Sequence, residues 1–313
     1  MRFALGLTVV SAAAACGGES STQPEPSPRP EPAATQLAIA YSFDPEGAGR
    51  ARDIYLTRAD GTGTQKLLDL GSDEIQPEWS PDGRKLLVWQ ATMEGRLLLV
   101  NDDGSNVREL LAPHYGPARW SPDGARFVYT ELPYSLAALV VMNLDGTGRR
   151  MLTVTGGGAS LALPSWSTTG RIAYVVNSAY GLGSTIWTVS AKDAGTQPAQ
   201  PLITGGDDEW PAWSPDGGRL AYSSCTYDPR ADVLSCELAL INADGTGRRV
   251  LASEGIWNIK PTWSPDGKWI LYEHWAQSTT AGCSFRRISP SGGAPITVVP
   301  ATARSVCGGA SWR

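Results

Sequence analysis

A pentapeptide that keeps returning limits what this chain can fold into. Trp-Ser-Pro-Asp-Gly stands at residues 79–83, 120–124, 213–217 and 263–267; a partial copy, Trp-Ser-Thr-Thr-Gly, stands at 166–170, and a last Trp stands at 312. The six tryptophans are spaced by 41, 46, 47, 50 and 49 residues. A regular period of this size marks a chain built from stacked copies of one supersecondary unit, each too small to bury its own apolar face.

Residues 211–253 show what one unit contains. Pro-Ala-Trp-Ser is a short strand, and Ser-Pro-Asp-Gly-Gly closes a hairpin, with Gly217 supplying the positive φ. Arg-Leu-Ala-Tyr-Ser-Ser is a second strand. Glu-Leu-Ala-Leu-Ile-Asn alternates as a half-buried third strand does, an Asp-Gly turn follows, and Arg-Arg-Val-Leu-Ala-Ser is a fourth. The same Asp-Gly recurs at 60–61, 103–104 and 145–146, and no helical period competes. Four antiparallel strands in about 45 residues predict a β-propeller blade.

The first unit lacks its Trp strand: 37–42 corresponds to a second strand, and the missing piece is 308–313, Gly-Gly-Ala-Ser-Trp-Arg. The expected fold is therefore all-β, a six-bladed β-propeller of four-stranded antiparallel blades over residues 36–313, closed by the C-terminal strand completing the first blade. Closure of this kind leaves no open end to the ring. The motif tryptophans are expected in the core. The pairs Arg149-Arg150 and Arg248-Arg249 fall on outer strands, where charge discourages edge-to-edge association.

The pattern Pro-x-Trp-Ser-Pro-Asp-Gly-x-x-Leu-x-Tyr, followed by Ile-Asn-Ala-Asp-Gly-Thr-Gly-Arg-Arg-Val-Leu, resembles the WD-like repeat of the TolB-like propeller family. The resemblance implies a six-bladed propeller, and an envelope lipoprotein or the cell wall as partner. Similar blades occur in the gating domains of prolyl oligopeptidases and in oligogalacturonate lyases, so the motif specifies fold better than function. TolB carries an N-terminal α/β domain, in whose place this chain is read as having a lipid anchor.

That anchor is read from the N-terminus. Residues 1–15 have one basic residue, an apolar run and a small-residue end, the pattern of a secretory signal peptide. Ala13-Ala14-Ala15 before Cys16 fits a cleavage site and resembles a lipobox, with Cys16 as the lipidated residue; Ala13 stands where Leu is usual. Residues 16–35 are rich in Pro, Glu and Ser and read as a disordered tether. The expectation is an exported lipoprotein in the periplasm or on the cell surface. Gly17, in place of an Asp retention signal, favours the outer membrane. A net charge of −5 disfavours nucleic acid as a partner.

Four further cysteines follow. Cys225 and Cys236 bracket the loop between two strands of one unit, and Cys283 and Cys307 sit near the last unit, one after a long loop and one just before the closing strand, so two disulfides are expected. The spacing is not that of a zinc site, and no metal or other cofactor is expected.

The loops before each Trp strand vary most and are the expected ligand face. There, His114, Tyr115, Asp207, Asp208, Glu209, Trp210, Glu254, Trp257 and Arg304 are expected around the mouth of the central channel. Aromatic residues beside acids suit a protein or peptide partner, or a glycan. With two histidines in all, and no Gly-x-Ser-x-Gly, the chain offers neither a three-His metal site nor a hydrolase elbow, and no catalytic residue is assigned. The leading expectation is a monomeric binding platform for an envelope protein or peptide. The alternative is a carbohydrate-binding or carbohydrate-cleaving propeller.

Overall fold

The computed structural model describes residues 38–47, 51–113, 116–131, 137–155, 159–178, 183–192, 198–230, 233–276 and 282–313. The signal segment, Cys16, the tether, His114 and Tyr115 lie outside the described residues.

All 24 described elements are strands. The first sheet runs β24 (Val306–Trp312), β1 (Ile39–Asp44), β2 (Asp53–Thr57), β3 (Gln65–Leu68). The second runs β4 (Asp73–Trp79), β5 (Lys85–Ala91), β6 (Arg96–Asn101), β7 (Arg108–Leu111), and the third β8 (Arg119–Trp120), β9 (Arg126–Glu131), β10 (Ala137–Asn143), β11 (Arg150–Thr155). The fourth runs β12 (Ser160–Trp166), β13 (Arg171–Asn177), β14 (Ser184–Ser190), β15 (Gln200–Ile203). The remaining strands are β16 (Asp207–Trp213), β17 (Arg219–Asp228), β18 (Val233–Asn242), β19 (Arg249–Ala252), β20 (Trp257–Trp263), β21 (Ile270–Trp275), β22 (Cys283–Ile288) and β23 (Ile296–Val299).

The expectation of six separate blades is corrected here. Four blades stand as four-stranded sheets, and the last eight strands form one continuous sheet, ordered β16-β17-β18-β20-β21-β22-β23 with β19 on β18. The reason is local. β17 and β18 are ten residues each, so their hairpin overruns the start of β20 and pairs with it in parallel at Cys236 and Trp257. Cys236 N–H donates to the Ile256 carbonyl at 2.7 Å, and Asn258 Nδ2 donates to the Cys236 carbonyl at 3.2 Å. Cys225 and Cys236 are register partners in that hairpin and form a disulfide.

The chain's ends meet in one sheet. β24 pairs antiparallel with β1, Arg313 N–H donates to the Ala38 carbonyl at 2.7 Å, and a Cys283–Cys307 disulfide ties β22 to β24.

The repeated turns carry their own hydrogen bonds. In Ser-Pro-Asp-Gly, the serine hydroxyl donates to the aspartate (Ser80 to Asp82 at 2.6 Å, Ser214 to Asp216 at 2.5 Å, Ser264 to Asp266 at 2.6 Å), and the glycine takes positive φ, 68° at Gly217. The degenerate copy keeps this geometry because Thr169 Oγ1 lies 2.9 Å from Ser167 Oγ and Gly170 keeps its positive φ.

The core lies between neighbouring sheets. Ala40, Ile54 and Leu56 of the first pack on Trp79, Leu86, Val88 and Leu98 of the second, and clusters of the same kind recur round the ring. Five tyrosines at matching places, Tyr41, Tyr129, Tyr174, Tyr222 and Tyr272, are fully buried. Each buried aliphatic side chain stabilises by about 1.5–3 kcal/mol.

Candidate functional site

The six Trp-bearing strands, β4, β8, β12, β16, β20 and β24, converge on one cavity of about 200 Å³. It begins at the residue three before each motif Trp except Trp120, where it begins at Arg119, and reaches the turns that follow, at Thr168, Ser214 and Pro215.

Local backbone geometry decides which side chains reach it. Gln76, Leu163, Trp210 and Lys260, each immediately before a proline, have φ of 53°, 52°, 55° and 53°, and Gly309 takes 99° at the matching place in β24. At each of the four non-glycine positions the register with the next strand slips, between Ile75 and Glu78, Ala162 and Ser165, Glu209 and Ala212, and Ile259 and Thr262. These are β-bulges, which re-aim a side chain. A left-handed conformation costs a non-glycine residue about 1–2 kcal/mol, and its repetition at one place in four strands belongs to a site the surrounding fold holds in place. The next residue, Pro77, Pro164, Pro211 or Pro261, has no N–H to leave unsatisfied at the bulge.

The wall is chemically two-sided. Leu163 and Trp210 lie on neighbouring strands and form its apolar part. Lys260, Gln76, Glu78 and Arg119 form its polar part. Lys260 Nζ sits 5.1 Å from the Trp210 ring centroid and donates to both oxygens of Glu273, at 3.1 and 3.2 Å. Glu273 is fully buried, and its Oε1 also accepts from Gly309 N–H. Burial pushes the Glu78 carboxyl above the ordinary glutamate range, against the opposing pull of Arg119, whose Nε lies 3.6 Å from Glu78 Oε2. The Gln76 side chain is buried, and its Oε1 has no hydrogen-bond partner among the described residues.

The motif tryptophans are wall and core together. Trp79, Trp120, Trp213, Trp263 and Trp312 are buried and Trp166 half-buried, and all six line the cavity. A basic residue lies over the ring of a neighbouring unit: Arg126 over Trp166, Arg171 over Trp213, Arg219 over Trp263 and Arg313 over Trp79, at 5.4, 5.2, 5.3 and 4.8 Å. Trp120 Nε1 donates to the Glu78 carbonyl and Trp263 Nε1 to the Ala212 carbonyl, both at 3.0 Å.

Of the expected mouth residues in the described chain, Trp210 alone lines this cavity. Asp207, Asp208 and Glu209 stand at the start of the same strand. Asp207 accepts from Ser184 N–H at 2.9 Å, and Glu209 accepts from Ser184 Oγ at 3.2 Å. Burial raises the pKa of both Asp208 and Glu209, with the Ser224 and Ser184 hydroxyls respectively pulling back. Glu254 is exposed and pairs with Arg286 at 3.3 Å. Trp257 donates from Nε1 to the Leu234 carbonyl at 3.0 Å and packs edge-on against Trp275, so it also supports the β17–β18 hairpin. Arg304 is exposed in a turn.

Gln76, Glu78, Arg119, Lys260 and Glu273 were not singled out from sequence. A signal was available for two of them: Gln-Pro-Glu-Trp, Leu-Pro-Ser-Trp, Trp-Pro-Ala-Trp and Lys-Pro-Thr-Trp place the variable residue before proline at a constant distance from Trp. Among the described residues no group of three or more His, Cys, Asp or Glu side chains is arranged to hold a metal ion.

The chain matches the family described as the TolB beta propeller domain over residues 88–291. It is 34% identical over 97 residues to the Tol-Pal system protein TolB of Anaeromyxobacter sp. (strain K), covering 30% of this chain and 22% of that protein. It is 36% identical over 110 residues to the Tol-Pal system protein TolB of Gluconobacter oxydans (strain 621H), covering 33% and 23%. The matched stretch thus spans under a quarter of either relative. In shape it is similar to TolB from Acinetobacter baumannii (TM-score 0.69, 16% identity, 89% of this chain and 68% of that one). A chain of a nidogen/laminin complex is similar too (TM-score 0.64, 14% identity, 88% and 98%). At these identities the structural likeness speaks for the fold.

Proposed function

The chain belongs to the TolB beta propeller domain family, and from that premise we propose that it is a binding platform for a protein or peptide of the cell envelope, engaged through the central cavity. The observation that carries this reading is the set of four strained residues, Gln76, Leu163, Trp210 and Lys260, that the bulges hold at the cavity wall. An apolar part beside a charged, hydrogen-bonding part suits a polypeptide segment, which offers side chains and main-chain amides together. The acids and aromatics near the start of the strands, Asp207, Asp208, Glu209, Glu254 and Trp257, with Arg304, form the surrounding rim in this reading.

The relatives are named as Tol-Pal system proteins, which supports an envelope partner. In the same reading the chain is exported, cut before Cys16 and anchored by lipid on that cysteine, with the outer membrane as its site. Two or more acyl chains hold a protein stably where one does not. Incorporation of a labelled fatty acid that is abolished by Cys16→Ser tests the anchor.

A photoreactive amino acid placed at Leu163, compared with the same label in a Trp210→Ala background, tests the platform in intact envelopes. The expected product is a polypeptide adduct that Trp210→Ala reduces several-fold. Adducts to polysaccharide alone would favour the glycan reading instead.

A further inference from the structure

A two-stranded hairpin that runs past the rest of its sheet is marginal in water unless something holds it. β17 and β18 are ten residues each, where the matching strands of the other sheets have five to seven. The pairing of β16 with β17 starts at Asp207 and Cys225, so Thr226, Tyr227 and Asp228, with their partners Ser235, Leu234 and Val233, stand beyond it. This overhang is held twice. The Cys225–Cys236 disulfide crosses its root, and Trp257 Nε1 donates to the Leu234 carbonyl. A hairpin fixed in this way loses little freedom when something binds it.

The register decides what the overhang displays, since residues opposite one another, and residues two apart, share a face. Asp207 stands opposite Cys225, Glu209 opposite Ser223, and Tyr227 opposite Leu234. One face therefore carries Asp207, Glu209, Tyr227 and Leu234 together. Tyr227 and Leu234 are 55% and 40% exposed. Ser184 of the neighbouring sheet donates its N–H to Asp207 and its hydroxyl to Glu209, and among the described residues no cation forms an ion pair with either carboxylate. Ser223, on the same face, is fully buried, and its hydroxyl has no hydrogen-bond partner among the described residues. Nearby cations are engaged elsewhere. Arg248 pairs with Glu237, which stands opposite Ser224 on the other face, and Arg286 pairs with Glu254. Arg230, in the turn, is offset by Asp228, whose Oδ1 accepts from Arg230 N–H.

We infer that this face of the β17–β18 hairpin docks a basic segment of another protein, with an aliphatic residue against Tyr227 and Leu234 and an arginine or lysine against Asp207 and Glu209. Charge complementarity names the occupant, because two carboxylates without a cation adjoin an apolar surface that a basic side chain's stem can cover. Arginine suits the place better than lysine, since a guanidinium can lie over the Tyr227 ring while it bonds to a carboxylate. A second copy of this chain fits worse: a two-fold contact would set Asp207 and Glu209 against their own counterparts. The contact adjoins the central cavity and rests on the platform reading only in sharing Asp207 and Glu209 with the rim.

A fluorescent peptide, Ser-Arg-Ser-Leu-Ser-Arg-Ser, sets Arg, Leu and Arg on one face when extended, and its control carries Glu for Arg. The arginine peptide is expected to bind the full chain, to slow amide exchange at 225–228 and 233–236, and to outbind the glutamate form by at least about tenfold. Raising salt from about 0.03 M to about 0.3 M should weaken it several-fold. Tyr227→Ser, at an exposed position outside the core, should weaken it by about tenfold, as should Asp207→Asn combined with Glu209→Gln. The peptide reads the hairpin and the photo-adduct at Leu163 reads the cavity, so failure of one is distinguished from failure of the other. The proposal is overturned by equal binding of the two peptides, by unaltered binding to Tyr227→Ser, by exchange protection elsewhere, or by no binding at about 1 mM peptide. Concentration-dependent self-association that protects 225–228 and 233–236 would overturn the assigned occupant in favour of a second copy.

Discussion

Replacing Lys260 by methionine should unlatch the ring where its last sheet meets its first. Lys260 neutralises Glu273, whose side chain is 1% exposed, and Glu273 in turn accepts from Gly309 N–H on β24. Lys260→Met leaves Glu273 with one backbone donor and no cation. Breaking a buried pair from one side costs about 3–5 kcal/mol, because the partner's charge stays buried without compensation. For a domain of this size that corresponds to a fall in Tm on the order of 10 °C. The pair's net worth is much smaller than this figure, since each ion was desolvated to form it. Lys260→Met with Glu273→Leu should therefore recover most of the loss. Urea unfolding of the two single variants and the double at neutral pH reads this as a coupling energy. Additive losses, with the double variant as unstable as the sum of the singles, would refute the reasoning.

Other outcomes follow from the same geometry. Arg219→Ala removes the cation over Trp263 and should cost about 0.5–2 kcal/mol in urea melts, whereas Lys192→Ala, on an exposed residue, should cost under about 0.5 kcal/mol. Replacing Cys225 and Cys236 by serine should cost about 3 kcal/mol on the loop-entropy account and speed amide exchange in β17 and β18, read by mass spectrometry. His274 is buried, faces Asn258 Oδ1 at 2.9 Å from Nδ1, and has its pKa lowered to about 4, by burial first and then by Arg286, with Glu254 opposing. Its neutral form is the folded one, so its contribution is complete above the unfolded value of about 6.5 and is lost as pH falls towards 4. The difference in stability between the native chain and His274→Gln should shrink across that window by up to about 3 kcal/mol, and a flat difference would contradict the assignment.

Most of the architecture could be read from residues alone, because a propeller unit is specified locally. Ser-Pro-Asp-Gly makes its turn from its own hydroxyl, carboxylate and glycine, and alternation sets which face of each strand is buried. The closing strand was legible for a related reason: the first unit lacked a Trp strand that the last six residues could supply, and β24 does pair with β1. The two disulfides followed from one cysteine pair set side by side across a hairpin and another set beside the closing strand.

Other features depend on how units meet. The merging of the last eight strands into one sheet comes from a hairpin long enough to reach β20, a matter of strand length in three dimensions. The cavity's composition was hidden because a β-bulge breaks the alternation from which side-chain direction is inferred, so Gln76 and Lys260 reach a wall that simple counting does not assign them. Glu273 was hidden for another reason, since its partners Lys260 and Gly309 come from different strands and, for Gly309, from a different sheet. Sequence by itself thus determined the repeated unit and its turns, which rest on hydrogen bonds within a few residues. Tertiary structure alone decided which side chains share the central space and which charges neutralise one another there, because those pairings join residues that only closure of the ring brings together.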